Sequence, residues 1–204
     1  MFRSLTPVVR ALLLANVAAY VLQLLLGERL FMPYELWPPQ SWLYGGYPFR
    51  PWQVLTYGFL HSPDNVMHLF ANMLALYMFG PDCERLLNSQ RFLTYYLLCV
   101  IGAGLTQLAV VTYLVPSPYP TVGASGGIFG LLLLFGASYP QRRVMLLFPP
   151  IPMPAWVFVT LYGVLELVLG VTGTQQGVAH FAHLGGMAVG LVLFFLWRLP
   201  RARR

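Results

Sequence analysis

Long apolar runs separated by short polar segments fill the chain, and the length of each run decides what it can form. A helix needs about 20 mostly apolar residues, with a tolerated range of roughly 17–25, to cross the hydrocarbon core of a bilayer. Six runs approach that length: about Val8 to Leu26, Val66 to Gly80, Phe92 to Val115, Val122 to Tyr139, Pro154 to Val171 and Val178 to Trp197. The second is short and is expected to draw on flanking residues. The first follows Arg3 and Arg10 as a signal peptide would. It exceeds the ~7–15 apolar residues of a cleavable core, however, and no small-x-small cleavage site follows, so it reads as a retained helix. The pattern predicts an all-α fold, a bundle of six transmembrane helices.

Composition agrees. Hydrophobic residues make up 58% of the chain and charged ones only 9%, against about 25% charged in a soluble domain, so the protein is polytopic. The net charge of +6 comes with no lysine at all. The arginines are spread over short flanks rather than gathered in a stripe, which points to membrane topology and away from nucleic acid. Arg3, Arg10, Arg85, Arg91, Arg142, Arg143, Arg198, Arg201, Arg203 and Arg204 fall on one side of six crossings, leaving Arg29 and Arg50 opposite. Cytoplasmic loops hold the excess positive charge, so both termini are expected in the cytoplasm. Cys83 and Cys99 then lie on or near the cytoplasmic half, which argues against a structural disulfide. No repeat, low-complexity tract or long hydrophilic segment marks a boundary, and residues 1–204 read as a single domain.

One connection is long. From Gly27 to Asn65 it carries Phe31, Tyr34, Trp37, Trp42, Tyr44, Tyr47, Phe49, Trp52 and Tyr57, ring types that settle at the headgroup level. The loop is expected to lie in the interface, where it would set depth and tilt.

Polar side chains inside the spans are costly and therefore functional candidates. His68 and Asn72 are four residues apart and share one helix face. Ser125, within Gly123-Ala124-Ser125-Gly126-Gly127, lies about three residues into the fourth span if that helix begins near Val122. The first N–H groups of a helix lack intrahelical acceptors and point at an anion, which suits acyl transfer at a neighbouring hydroxyl. Gly123, Gly126, Gly127 and Gly130 have small-xxx-small spacing, as do Gly186 and Gly190 in the sixth span. Spans four and six could therefore approach backbone to backbone, bringing a histidine to Ser125. His180 and His183 share roughly one face, and either could be the base. His183 is preferred because it is a turn deeper, with His180 read as a polar flank near the outer surface.

These residues resemble the rhomboid family of intramembrane serine proteases, which have a six-helix core. The resemblance covers nearly the whole chain, including the long first loop. It implies Ser125 as nucleophile, His183 as general base, His68 and Asn72 as oxyanion partners, and Phe129 in the place where an aromatic ring often packs on the base. Trp52-Gln53 departs from the tryptophan-arginine pair of many relatives. With no evident extramembrane domain, the chain looks like a minimal bacterial form in the inner (plasma) membrane. The function implied is serine endopeptidase activity on transmembrane protein substrates in the lipid bilayer, favouring small residues at the cut and helix-destabilising residues nearby, with no cofactor, metal or nucleic acid.

The residue inventory narrows the chemistry. Absence of lysine excludes a serine-lysine hydrolase, and Asp64 and Asp82 lie at span ends, too far out for a third catalytic member. Glu166 is the only acid deep in a span. It could orient His183 or form an interhelical bond near the cytoplasmic half, and the second reading is preferred; the resemblance points to a Ser-His dyad. The glycine-rich segment Gly170 to Gly177 fits equally an ordinary short turn or a mobile cap, the latter with the top of the fifth span as a side gate. Two other readings differ in class. A rhomboid-like protein that binds membrane clients without cutting them is disfavoured by the presence of both Ser125 and His183. A metal or haem site at His61, His68, His180 and His183 shows no carboxylate or thiolate placed beside the histidines.

Overall fold

The computed structural model describes residues 5–145, 150–174 and 178–199. Its six long helices follow the six apolar runs: α1 (Pro7–Leu26), α3 (Val66–Leu87), α4 (Ser89–Tyr113), α5 (Ser125–Ser138), α6 (Ala155–Thr172) and α7 (His180–Leu196). A single turn, α2 (Gln53–Thr56), sits in the first loop. Helices α1, α4 and α6 are long and apolar enough to cross a membrane by themselves, while α5 and α7 are shorter apolar helices.

The second run does draw on flanking residues, as expected. Helix α3 continues through Pro81 to Leu87, because the charges that end the apolar run are absorbed by partners. Asp82 meets Arg142 at 2.8 Å. Glu84 is buried and its carboxylate accepts from the N–H groups of Val8 at 3.1 Å and Val9 at 2.9 Å, while Ser89 Oγ donates to it at 2.5 Å. Helix α1 begins with Pro7 and has no side-chain cap of its own, so a carboxylate from α3 satisfies its free N–H groups and complements its dipole. Glu84→Ala is expected to lower the unfolding free energy by about 2–4 kcal/mol, read as the shift of a denaturation curve in detergent micelles.

Helix α5 is the axis of the bundle. It is apolar on every side, as a helix enclosed by others must be. Leu131 and Leu134 are wholly buried, and α3, α4, α6 and α7 all pack on it. The outer helices α1 and α6 expose Leu14, Val21, Leu25, Leu161, Val164 and Val168, an apolar skin suited to lipid. Helix α5 begins at Ser125, not near Val122. Its 14 residues span about 21 Å at 1.5 Å per residue, short of the ~30 Å hydrocarbon core. Its first residue can therefore stand below the membrane surface, reached by non-helical chain.

Two three-residue strands, β1 (Arg143–Met145) and β2 (Pro152–Pro154), form an antiparallel ribbon between α5 and α6, with Arg143 opposite Pro154. Strands this short carry no readable periodicity, so the apolar pattern does not reveal them. Both thiols, Cys83 and Cys99, are free and buried.

The first loop divides its aromatic residues. Trp42 and Tyr44 are exposed, as interfacial anchors would be, whereas Trp37 and Tyr57 are buried. Gln53 accounts for how the loop is held without the arginine of the resembling pair. Fully buried, it accepts from the Trp37 N–H at 3.2 Å and donates to the carbonyls of Pro33 at 3.1 Å and Pro48 at 3.3 Å. Trp52 adds an indole bond to the Pro33 carbonyl at 3.1 Å.

Candidate active site

Ser125 is the first residue of α5, and Ala124 before it offers no side-chain cap. The first helical bond is from Ile128 N–H to the Ala124 carbonyl at 3.1 Å, so the helix supplies no acceptor for the N–H groups of Ser125, Gly126 and Gly127. Two contacts fix the segment leading into it. Thr121 and Leu36 exchange backbone bonds at 2.9 and 3.1 Å, and Gly123 N–H donates to the Tyr57 carbonyl at 3.0 Å. Tyr57 is itself anchored, its hydroxyl donating to the Val100 carbonyl of α4 at 2.7 Å. Gly123 has a φ of 129°, a backbone conformation that strongly favours glycine.

Glycines bring α7 against α5, as their spacing suggests. A Cβ at Gly186 would overlap the Gly126 carbonyl, and one at Gly190 would lie 3.2 Å from Gly130 Cα. At that separation His183 Nε2 stands 2.8 Å from Ser125 Oγ. The imidazole lies flat on Phe129, with ring centroids 4.2 Å apart and planes 6° from parallel. One turn along α5 thus supplies both the hydroxyl and the surface that keeps the imidazole from tilting. It is His183, and not His180, that faces the serine.

His68 packs beside the serine. Its Nε2 would come within 2.8 Å of a Cβ at Gly123, so only a glycine leaves room for the ring there. Asn72, buried one turn further along α3, donates to the His68 carbonyl at 2.8 Å. Behind His68, at 5.1 Å between ring centroids, lies the wholly buried His61, whose imidazole is pushed down to about 3 by burial first and by His68 second. It is neutral at physiological pH. Gln23 of α1 holds that segment, donating to the His61 carbonyl at 3.0 Å and accepting from its N–H at 3.2 Å.

Three expectations need correction. His180 is not a flank at the surface; it is buried at the start of α7 with Nδ1 2.6 Å from Glu166 Oε2. Glu166 is not in the half of α6 nearer Ala155; it lies level with the two histidines, its Oε2 2.9 Å from His183 Nδ1 as well. A carboxylate therefore does stand beside the histidines. Glu166, His180 and His183 bring three potential metal-ligand atoms within 4.8 Å of one another, with the Nδ1 atoms already turned to one carboxylate oxygen. In the proposed cap, Gly170 to Thr172 belong to the last turn of α6 and Gly173 ends it in the left-handed region; residues 175–177 lie outside the described residues.

A polytopic helical membrane protein with a serine and a histidine in contact inside its bundle is a narrow class. The Rhomboid domain family matches residues 48–199, and the chain belongs to the rhomboid family. It is 32% identical over 152 residues to the Rhomboid protease GluP of Bacillus subtilis, covering 74% of this chain and 27% of that protein. Against Rhomboid protein 1, mitochondrial, of Saccharomyces cerevisiae it is 30% identical over 158 residues, covering 74% and 43%. Against the Rhomboid protease GlpG of Klebsiella pneumoniae it is 25% identical over 206 residues, covering 97% and 66%. The chain thus spans less than half the length of the first two relatives and about two thirds of the third.

Proposed function

We propose that this protein is an intramembrane serine endopeptidase that hydrolyses peptide bonds in or near transmembrane segments through Ser125 and His183, and that residues 1–204 act as one rhomboid domain. The 2.8 Å contact between Ser125 Oγ and His183 Nε2, at a helix N-terminus with free N–H groups, carries this reading. Orientation follows the arginines, with both termini cytoplasmic, and the inner membrane of a bacterium is the setting the resemblance implies.

Ser125 Oγ attacks the substrate carbonyl carbon while its proton passes to His183 Nε2. The carbonyl oxygen gains the negative charge, and the Ser125 N–H with the side chains of His68 and Asn72 receives it. As the intermediate collapses, the Nε2 proton goes to the departing amine and an acyl-enzyme remains. Water, deprotonated by the same nitrogen, releases the second product. Donors fixed by the fold before charge develops are what make such stabilisation effective.

Asn72→Ala is expected to lower kcat by about 10²–10³ with KM nearly unchanged, because the bond is made in the transition state and not in the ground state; steady-state kinetics on a single-span reporter substrate reads it. The reading as a whole is tested by incubating detergent-purified protein and its Ser125→Ala variant with a fluorophosphonate probe and that reporter, in the presence of a chelator. Labelling and cleavage lost only in the variant support a metal-independent serine protease. Silence from folded wild-type protein favours a client-binding rhomboid-like protein, and activity lost to the chelator favours a metal site.

A further inference from the structure

The carboxylate of Glu166 has two partners and one of them is the base. Its Oε2 takes a hydrogen bond from His180 Nδ1 at 2.6 Å, and the same oxygen stands 2.9 Å from His183 Nδ1. The second approach is off the line a hydrogen bond takes, so His183 Nδ1 is buried with no in-line acceptor of its own. Helix α6 supplies the acid, α7 both histidines and α5 the serine, and all the polar groups between them are enclosed: Glu166, His180 and His183 are each less than a tenth exposed. An acid deep between helices persists only when paired, and His180 alone already pairs it. The further contact with His183 is therefore surplus to what burial of Glu166 requires.

We propose that Glu166 is a positioning residue for His183, holding it in the tautomer that carries its proton on Nδ1 and stabilising the imidazolium formed when Nε2 takes the serine proton, while His180 holds the carboxylate in place. This rests on the reading of Ser125 and His183 as nucleophile and base. For Nε2 to receive the proton from Oγ, Nδ1 must bear the other one, and a carboxylate 2.9 Å from Nδ1 favours that arrangement over its reverse. In the tetrahedral intermediate the imidazolium has a proton on each nitrogen. The negative charge of Glu166 then faces it with no proton changing hands between them, as the acid of a serine triad does. The groups that face His183 among the described residues are Glu166 from α6, His180 on its own helix, Ser125 from α5 and His68 from α3. Glu166 is the one anion among them.

The sign of the effect on pH dependence follows. An adjacent anion favours the imidazolium, so removing it makes His183 easier to deprotonate and keeps the base competent at lower pH. Glu166→Gln keeps the shape of the side chain and loses the charge. It is expected to reduce kcat by about 10²-fold, less than the ~10⁴ lost when a linear triad acid is neutralised, with KM within about threefold. The acidic limb of kcat/KM should move to lower pH. His180→Ala is expected to move it the other way, because the carboxylate is then left to His183 alone. A purely structural contact predicts a loss of thermal stability with no opposed movement of the two limbs.

The experiment is a pH–rate series from pH 5 to 9 on the full chain in micelles, with wild type, Glu166→Gln and His180→Ala, and with fluorophosphonate labelling and thermal unfolding measured in parallel. Opposed shifts of the acidic limb support the assignment. An active wild type whose limb stays fixed in both folded variants overturns it while leaving the protease reading intact. Should Glu166→Gln fail to fold, His180→Ala decides alone, an unmoved or lowered limb overturning the proposal. A wild type silent to both probe and reporter removes the protease reading and this inference with it.

Discussion

Ser125→Ala and His183→Ala are each expected to lower turnover of a transmembrane reporter by about 10⁴–10⁶, and the double variant is expected to be no worse than the weaker single one. In the proposed mechanism the two side chains perform one operation. Without the imidazole the hydroxyl remains protonated at neutral pH and is a poor nucleophile; without the hydroxyl the imidazole has nothing to activate. What survives is the part of the site that needs neither, namely the free N–H groups at the start of α5 and whatever binding the bundle gives the substrate, worth a residual ~10³–10⁴ over water in other serine hydrolases. Single-turnover cleavage with enzyme in excess reads the chemistry without product release. Losses that multiply in the double variant would show two independent devices and contradict the 2.8 Å contact as the operating pair.

Gly186→Ala is the second large effect, and it acts through distance. A methyl group there would run into the Gly126 carbonyl and come within 2.8 Å of the carbonyl carbon. Both obstacles are backbone, so no rotamer change relieves them and α7 must move away from α5. Overpacking of this kind costs about 1–3 kcal/mol or more. The displacement carries His183 with it, three residues along the same helix. A misplacement of ~1 Å in a reacting group costs about 10² in rate, so the variant is expected to lose at least that factor even where it still folds. Gly163→Ala is the comparison: its Cβ would meet only the flexible tip of Met187, with Cε at 3.2 Å, and it should change neither stability nor rate by more than a small factor. Thermal unfolding and reporter cleavage, measured together, separate the two cases. A fully active, fully stable Gly186→Ala would mean that α5 and α7 are not held at this separation.

The contrast between these two glycines indicates which parts of the molecule can be read from a linear chain. Run length gave the six helices, because crossing a bilayer calls for long apolar stretches. It misplaced the ends that matter most. The run at Val122 opens three residues before α5 does, since Thr121 and Gly123 are drawn into backbone bonds with Leu36 and Tyr57, partners more than sixty residues away. The run at Gly80 closes before α3 does, since Glu84 belongs to the N-terminus of another helix. The approach of His183 to Ser125 was legible because small residues recur at one-turn spacing on both helices. The environment of Glu166 was not. Its depth depends on counting back from Thr172, the far end of α6, and its partners begin the next helix, so position in the run misdirects. The roles of Gln53 and Tyr57 were not legible for a common reason: each works on main-chain groups, which leave no signature in the identity of the residues they hold.

Gln53 has one more consequence. Three hydrogen bonds from a neutral amide fasten the first loop, where a guanidinium would have brought a charge into the interface. Mobile ions screen charges and leave dipolar bonds of this kind almost untouched. The grip of the loop is therefore indifferent to brine and to the surface potential of anionic headgroups, and the same shape should persist whether the surrounding membrane is rich or poor in acidic lipid.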